Sequence, residues 1–256
     1  MGNSDRKEFP LYYELRKEAT IISAWRKVRS NGVKSKSPEI RSEVIEFESD
    51  LYRHIRRLTS QLRDCRFQFQ PSMGICIHQA GKKPRPIVIP PVMSRLVQRA
   101  ILDVLQKQSK IQEVANIPTS FGGLPNKNVP DAIKFLLEQA CAGNKYYIKS
   151  DIKGFFASVA KLDIQAKLGQ MIDDTKFLKI AADAMQVELD DVSRQRNSGA
   201  IFPTEEIGIA QGSCLSPLFA NIVLKEFDDK LNDRGVVCIR YIHCCPKRFS
   251  LSSVMG

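Results

Sequence analysis

Acidic residues are scarce in the first part of this 256-residue chain. Residues 1–110 hold 22 Lys and Arg against 11 Asp and Glu, while residues 111–256 hold 17 of each. The whole formal excess of +11 therefore sits in the N-terminal part. That asymmetry suggests a polyanion lying across this part, nucleic acid above all, with a generally basic soluble domain as the plainer alternative. Long apolar runs are lacking too. None could span a bilayer, and Met1-Gly2-Asn3-Ser4-Asp5 has no secretory core, so a cytoplasmic protein without a membrane partner is expected. The seven cysteines include no CxxC pair and no histidine at ligand spacing, which excludes a zinc site or a disulfide framework. Cys65, Cys76, Cys141, Cys214 and Cys238 are read as reduced core thiols.

What remains is an ordinary globular composition, 43% hydrophobic, long enough for one or two domains. Apolar residues at Leu11, Leu15, Ile22, Trp25 and Val28 predict a helix over residues 11–28, stopped at Asn31-Gly32. Ser37-Pro38 predicts a second start, with Ser as cap and Pro at the first helical position. Val44, Phe47, Leu51, Ile55, Leu58 and Leu62 then form one apolar stripe. Arg53, Arg56, Arg57 and Arg63 project away from it, either as a solvated face or as contacts to an RNA backbone.

Residues 67–69 and 74–77 alternate like strands, and residues 84–90 read as a return strand. The hairpin tip so formed carries Lys82, Lys83 and Arg85, a reasonable clamp for a triphosphate. Helices are predicted over residues 94–110, 130–142 and 162–187, with a loop over 118–128 that includes Phe121-Gly122-Gly123. Ser216-Pro217 predicts a further capped helix to about residue 232, and residues 236–241 read as a last strand.

Two stretches carry chemistry. In Tyr146-Tyr147-Ile148-Lys149-Ser150-Asp151-Ile152-Lys153-Gly154-Phe155-Phe156, a short buried strand delivers the Asp151 carboxylate to its end, and Gly154 turns the chain. A carboxylate there suits a hard, oxygen-seeking cation, although a strand ending in a surface Asp is the plainer alternative. In Gly208-Ile209-Ala210-Gln211-Gly212-Ser213-Cys214-Leu215-Ser216-Pro217, Gln211 offers a two-ended amide. Gly212 lets a base or ribose approach the backbone. An ordinary loop before a capped helix would read the same way.

These stretches, in this order, resemble the reverse transcriptase domain, most closely the bacterial group II intron type and its defence-associated relatives. Ala24-Trp25-Arg26-Lys27-Val28 looks like the N-terminal entry, and residues 81–90 with Arg95-Leu96-Val97-Gln98 look like the fingers hairpin and helix. Ser150-Asp151-Ile152-Lys153-Gly154-Phe155-Phe156 looks like the first catalytic motif. Gln211-Gly212 with residues 215–221 looks like the template- and nucleotide-positioning motif.

The resemblance implies an α+β right-hand polymerase fold. It has helical and β-hairpin fingers over residues 1–115 and a palm over 116–241. The palm is an antiparallel sheet with helices, interrupted by a helical segment at about 161–205. It implies RNA-templated DNA synthesis on an RNA template and RNA–DNA hybrid, with deoxynucleoside triphosphates as substrates and a structured cognate RNA left open as a further partner. Asp151 and the Ile152 carbonyl would bind two Mg2+ ions; Lys82, Lys83, Arg85, Phe156, Gln211 and Gly212 would hold the nucleotide. The biological setting, intron mobility or phage defence, is left open.

One departure is severe. After Arg240-Tyr241 the family pattern is any residue and then two aspartates, whereas this chain reads Ile242-His243-Cys244-Cys245. One carboxylate does not readily hold two dications together. A catalytically incomplete chain without a thumb is therefore expected, with a non-catalytic RNA-binding or scaffold protein as the alternative. Read one base later, the codons for Ile-His-Cys-Cys-Pro admit Phe-Ile-Val-Val, an apolar strand sequence. A frameshift after Tyr241 is thus expected, leaving residues 242–256 as an aberrant tail poorly packed from Ile242 onward.

Overall fold

The computed structural model describes residues 6–78, 80–81, 84–144, 150–196 and 202–242. Among them are helices and a single two-stranded antiparallel sheet, an α+β content. The chain divides into two units. One comprises Met1–Ile111 with Phe156–Ser216, and the other Gln112–Phe155 with Pro217–Gly256.

In the first unit, the predicted helix over 11–28 is two helices, α1 (Pro10–Leu15) and α2 (Glu18–Gly32), because Lys17 is extended between them. The cause is tertiary. The buried carboxylate of Asp174 accepts the Leu11 and Tyr12 amides at 2.8 and 2.9 Å, and the Tyr12 hydroxyl donates to the Leu62 carbonyl. These bonds fix the direction of α1 independently of α2. Ser37 caps α3 (Pro38–Ser49) as predicted, its hydroxyl accepting from the Ile40 amide. The apolar stripe passes through a break at Asp50 into α4 (Leu51–Arg63), and Val44, Phe47, Ile55, Leu58 and Leu62 are buried. Phe47 sits between Trp25 and His54, with ring centroids 5.0 and 4.6 Å away.

Strand β1 (Met73–Ile77) pairs with β2 (Arg85–Ile89), Ile75 facing Ile87. Residues 67–69 are not a strand: Phe67 and Phe69 turn onto each other edge to face at 5.0 Å. The outer edge of β1 is met by another segment of this unit, where the Gly74 amide donates to the Ser193 hydroxyl. The helix predicted from residue 94 begins earlier, as α5 (Val92–Leu105), because Glu43 accepts the Val92 amide at 2.6 Å. Its Leu96, Val97, Ala100, Ile101, Val104 and Leu105 are buried, as the pattern indicates. A second short helix, α6 (Ser109–Ala115), follows.

In the second unit, Asn128 and Asp131 form a capping box at the start of α7 (Val129–Cys141). None of its residues is fully buried. Chain crossing between the units forms the single turn α8 (Phe155–Ser158). Back in the first unit, the predicted helix over 162–187 is broken into α9 (Lys161–Met171) and α10 (Thr175–Asp183). Asp174 causes the break. Its second oxygen accepts the Phe177 amide, so one carboxylate caps two helices. A short α11 (Asp191–Arg196) precedes α12 (Ser216–Asp233). The Ser216 hydroxyl donates to the Ala210 carbonyl at 2.7 Å and ties the loop before the helix to its first turn.

Of the predicted last strand, the described residues show one part. Among them 236–239 have no strand pairing, and Arg240 makes an isolated parallel bridge to Ser120. Its expected neighbour, the strand at Tyr147-Ile148, lies outside the described residues, as does the tail from His243. Among the described residues there is therefore no palm sheet, and β1–β2 is the one sheet. The core-thiol reading is also corrected: Cys65 and Cys141 are exposed, and Cys76, Cys214 and Cys238 are half-buried, all five as free thiols. No described helix is long and apolar enough to cross a membrane.

Candidate functional site

In the second unit, Asp151 is exposed in an irregular segment. The chain turns at Gly154 (φ +66°), and the Phe155 amide donates to the Ile152 carbonyl at 3.3 Å. The carbonyl keeps a second lone pair. Lys127 lies in this unit too, its ammonium donating to the Ile117 and Ser120 carbonyls beneath the Phe121 ring. Burial, and then the charge of Arg240, lowers its pKa.

The same unit holds a buried polar network that the sequence reading missed. The Arg240 guanidinium donates to both Asp228 oxygens and, through its other arm, to the Asn221 side chain and the Ile242 carbonyl, each at 2.7 Å. Asn221 in turn donates to the Gly122 carbonyl at 2.9 Å. A Cβ on Gly122 would stand 2.3 Å from the Ile242 nitrogen, so only glycine lets this loop close on the Tyr241–Ile242 backbone. The network holds Ile242 in the left-handed region, at φ +58°. A sequence signal existed: Asn221 and Asp228 are seven residues apart, on one face of α12.

In the first unit, Phe156, Gln211, Gly212 and strand β2 are joined by continuous backbone bonding. The Phe156 carbonyl accepts the Ile209 amide, Val159 accepts Gly208, and Ala160 bridges Ile207 antiparallel. Two residues on, the Gln211 carbonyl accepts the Val88 amide at 2.8 Å. Gly212 has φ +119°, and a Cβ there would meet the Val88 carbonyl at 2.5 Å. The glycine admits the backbone of β2. Arg85 is exposed at the start of that strand, while Lys82 and Lys83 lie outside the described residues. Fully buried Lys161 anchors the assembly. Its ammonium donates to the Gln186 side chain at 2.9 Å and the Thr204 carbonyl at 2.7 Å. Burial lowers its pKa to about 8. On the loop itself, burial pushes the Cys214 thiol up to about 11. Arg53, Arg56, Arg57 and Arg63 are exposed on α4, and Arg53 is paired with Asp50 at 2.7 Å.

The family model described as reverse transcriptase (RNA-dependent DNA polymerase) matches residues 77–242, well over half of the sequence. The chain belongs to the reverse transcriptase family. It is similar to protein YkfC of Escherichia coli K12, 28% identical over 181 residues, which cover 69% of this chain and 45% of that protein. It is similar to the group II intron-encoded protein LtrA of Lactococcus lactis subsp. cremoris, 26% identical over 175 residues, 68% of this chain and 27% of LtrA. An uncharacterized 91 kDa protein in the cob intron of Schizosaccharomyces pombe is 27% identical over 175 residues, 68% of this chain and 20% of that protein. The chain spans less than half the length of these curated relatives.

Reverse transcriptases imply a magnesium requirement, which the donor set can be tested against. Mg2+ demands near-octahedral oxygen coordination, with carboxylates offsetting its charge. Among the described residues no three His, Cys, Asp or Glu side chains are placed to share an ion. Asp151 and the Ile152 carbonyl are too few, and Asp228 is committed to Arg240. The residues described do not make a two-ion site.

Proposed function

We propose that this chain is the nucleic-acid- and nucleotide-binding frame of a reverse transcriptase and does not synthesise DNA by itself. The carrying observation lies at one point in the sequence. The family match runs to Ile242, and His243 and Cys244 stand where the motif has paired aspartates. Residues 1–115 act as fingers and 116–241 as palm, with 161–205 inserted. Asp151 is the surviving metal carboxylate, aided by the Ile152 carbonyl. Arg85, with Lys82 and Lys83, takes the triphosphate, and Phe156, Gln211 and Gly212 seat the nucleotide. The backbone bonds joining Phe156, Gln211 and β2 support a shared role for these residues. An RNA template or RNA–DNA hybrid lies across the basic N-terminal part, as its charge favours.

The test is primer extension on an RNA template with Mg2+ or Mn2+. No templated product is expected from this chain. Robust extension that Asp151→Asn abolishes would overturn the proposed inactivity. The non-catalytic scaffold reading draws on the same charge distribution. An open reading frame that continues downstream, in a shifted frame, into further palm strands and a basic helix would decide for a broken enzyme.

A further inference from the structure

The exposed face of α4 carries a residue that the basic-surface reading does not use. Tyr52 is 71% exposed, at the flank of the stripe through which Ile55, Leu58, Thr59 and Leu62 are buried. Helical spacing puts Arg56 and Arg63 on the same line as Tyr52, about 6 and about 16 Å along the axis. Arg57 lies about 100° round the helix from Arg56, off that line. Among the described residues no carboxylate pairs with Arg56, Arg57 or Arg63, whereas Arg53 turns to Asp50. The face thus offers one bare aromatic ring followed by the uncompensated guanidinium groups of Arg56 and Arg63, on the outside of an exposed helix.

We propose that this face binds single-stranded RNA, with an unpaired base stacked on Tyr52 and the following phosphates on Arg56 and Arg63. This rests on the reading that the N-terminal part binds RNA. The choice of strand follows from geometry. A paired base has both faces covered by its neighbours, and the major groove of an RNA duplex is too deep and narrow to admit a helix. An exposed ring on a helix therefore reaches the face of an unpaired base alone. Such a platform adds affinity that salt does not remove, beside phosphate contacts that salt weakens.

The test is a fluorescence-anisotropy titration of the full chain against a short adenine-rich RNA strand and against the same sequence in blunt duplex, at several salt concentrations. Tyr52→Ala is expected to weaken single-strand binding about five-fold or more, with an unchanged salt slope and little effect on the duplex. Tyr52→Phe keeps the ring and should bind like the parent. Arg56→Ala with Arg63→Ala should flatten the slope for the single strand by about 1.4, or roughly 0.7 per phosphate contact. Single-strand binding indifferent to Tyr52→Ala, an equal loss on the duplex, or a Phe variant as weak as the Ala variant would overturn the inference alone. A folded chain that binds no RNA at all would overturn both this and the reading beneath it. Tyr52 lies on the surface, and its replacement leaves the core intact.

Discussion

Arg240 and Asp228 meet in the interior of the second unit, with the guanidinium Nε 2.8 Å from one carboxylate oxygen and 3.0 Å from the other. The Asp228 side chain is 0% exposed and that of Arg240 6%. Both charges have left water, so each depends on the other. Asp228→Ala should lower stability by about 3–5 kcal/mol, because it strands a buried guanidinium. Urea unfolding of the single and paired variants checks this. Asp228→Leu with Arg240→Met should be nearer to the parent than either single change, and a pair variant worse than the sum would refute the argument.

Gly212 should resist substitution for a steric reason. Its positive φ and the Val88 carbonyl 2.5 Å from any Cβ both oppose a side chain. Gly212→Ala should cost about 1–3 kcal/mol, as overpacking does. It should also speed hydrogen exchange at the Val88 amide, which donates to Gln211. Unchanged exchange there would mean that the loop and β2 are not coupled through this contact.

Lys161 gives a pH signature. Its folded pKa of about 8 lies below the ordinary lysine value of 10.5. Between those values the unfolded chain binds a proton that the folded chain does not, so this group makes stability rise with pH in that window. Below about 8 both states are protonated, and its contribution is flat. The stability difference between the parent and Lys161→Met should therefore shift in favour of the parent as pH rises from 8 towards 10.5. Chemical denaturation at stepped pH measures it, and a difference that stays constant would place the Lys161 pKa elsewhere.

Asp50 partly neutralises the α4 surface through Arg53. If that surface binds RNA, Asp50→Asn should tighten binding at low salt and steepen the salt dependence by about 0.7, one added phosphate contact. Filter binding across a salt series is sufficient. A slope that stays the same would mean that Arg53 does not reach the nucleic acid.

The sequence by itself determined the family, the β1–β2 hairpin, the helix starts at Ser37-Pro38 and near Pro130, and the inward face of α5. Each rests on local chemistry: a capping oxygen, a period of two, or a period of 3.6. Tertiary structure alone decided where long apolar patterns break. Asp174 draws α1 and α10 to one carboxylate, so both predicted long helices divide, and no periodicity records a partner more than 160 residues away. It also decided that Arg240, read from the sequence as a strand residue, turns inward to Asp228 and Asn221. A strand pattern records alternation of apolar and polar residues. It does not record a buried charge, whose desolvation is offset only where a carboxylate and an amide are already in place.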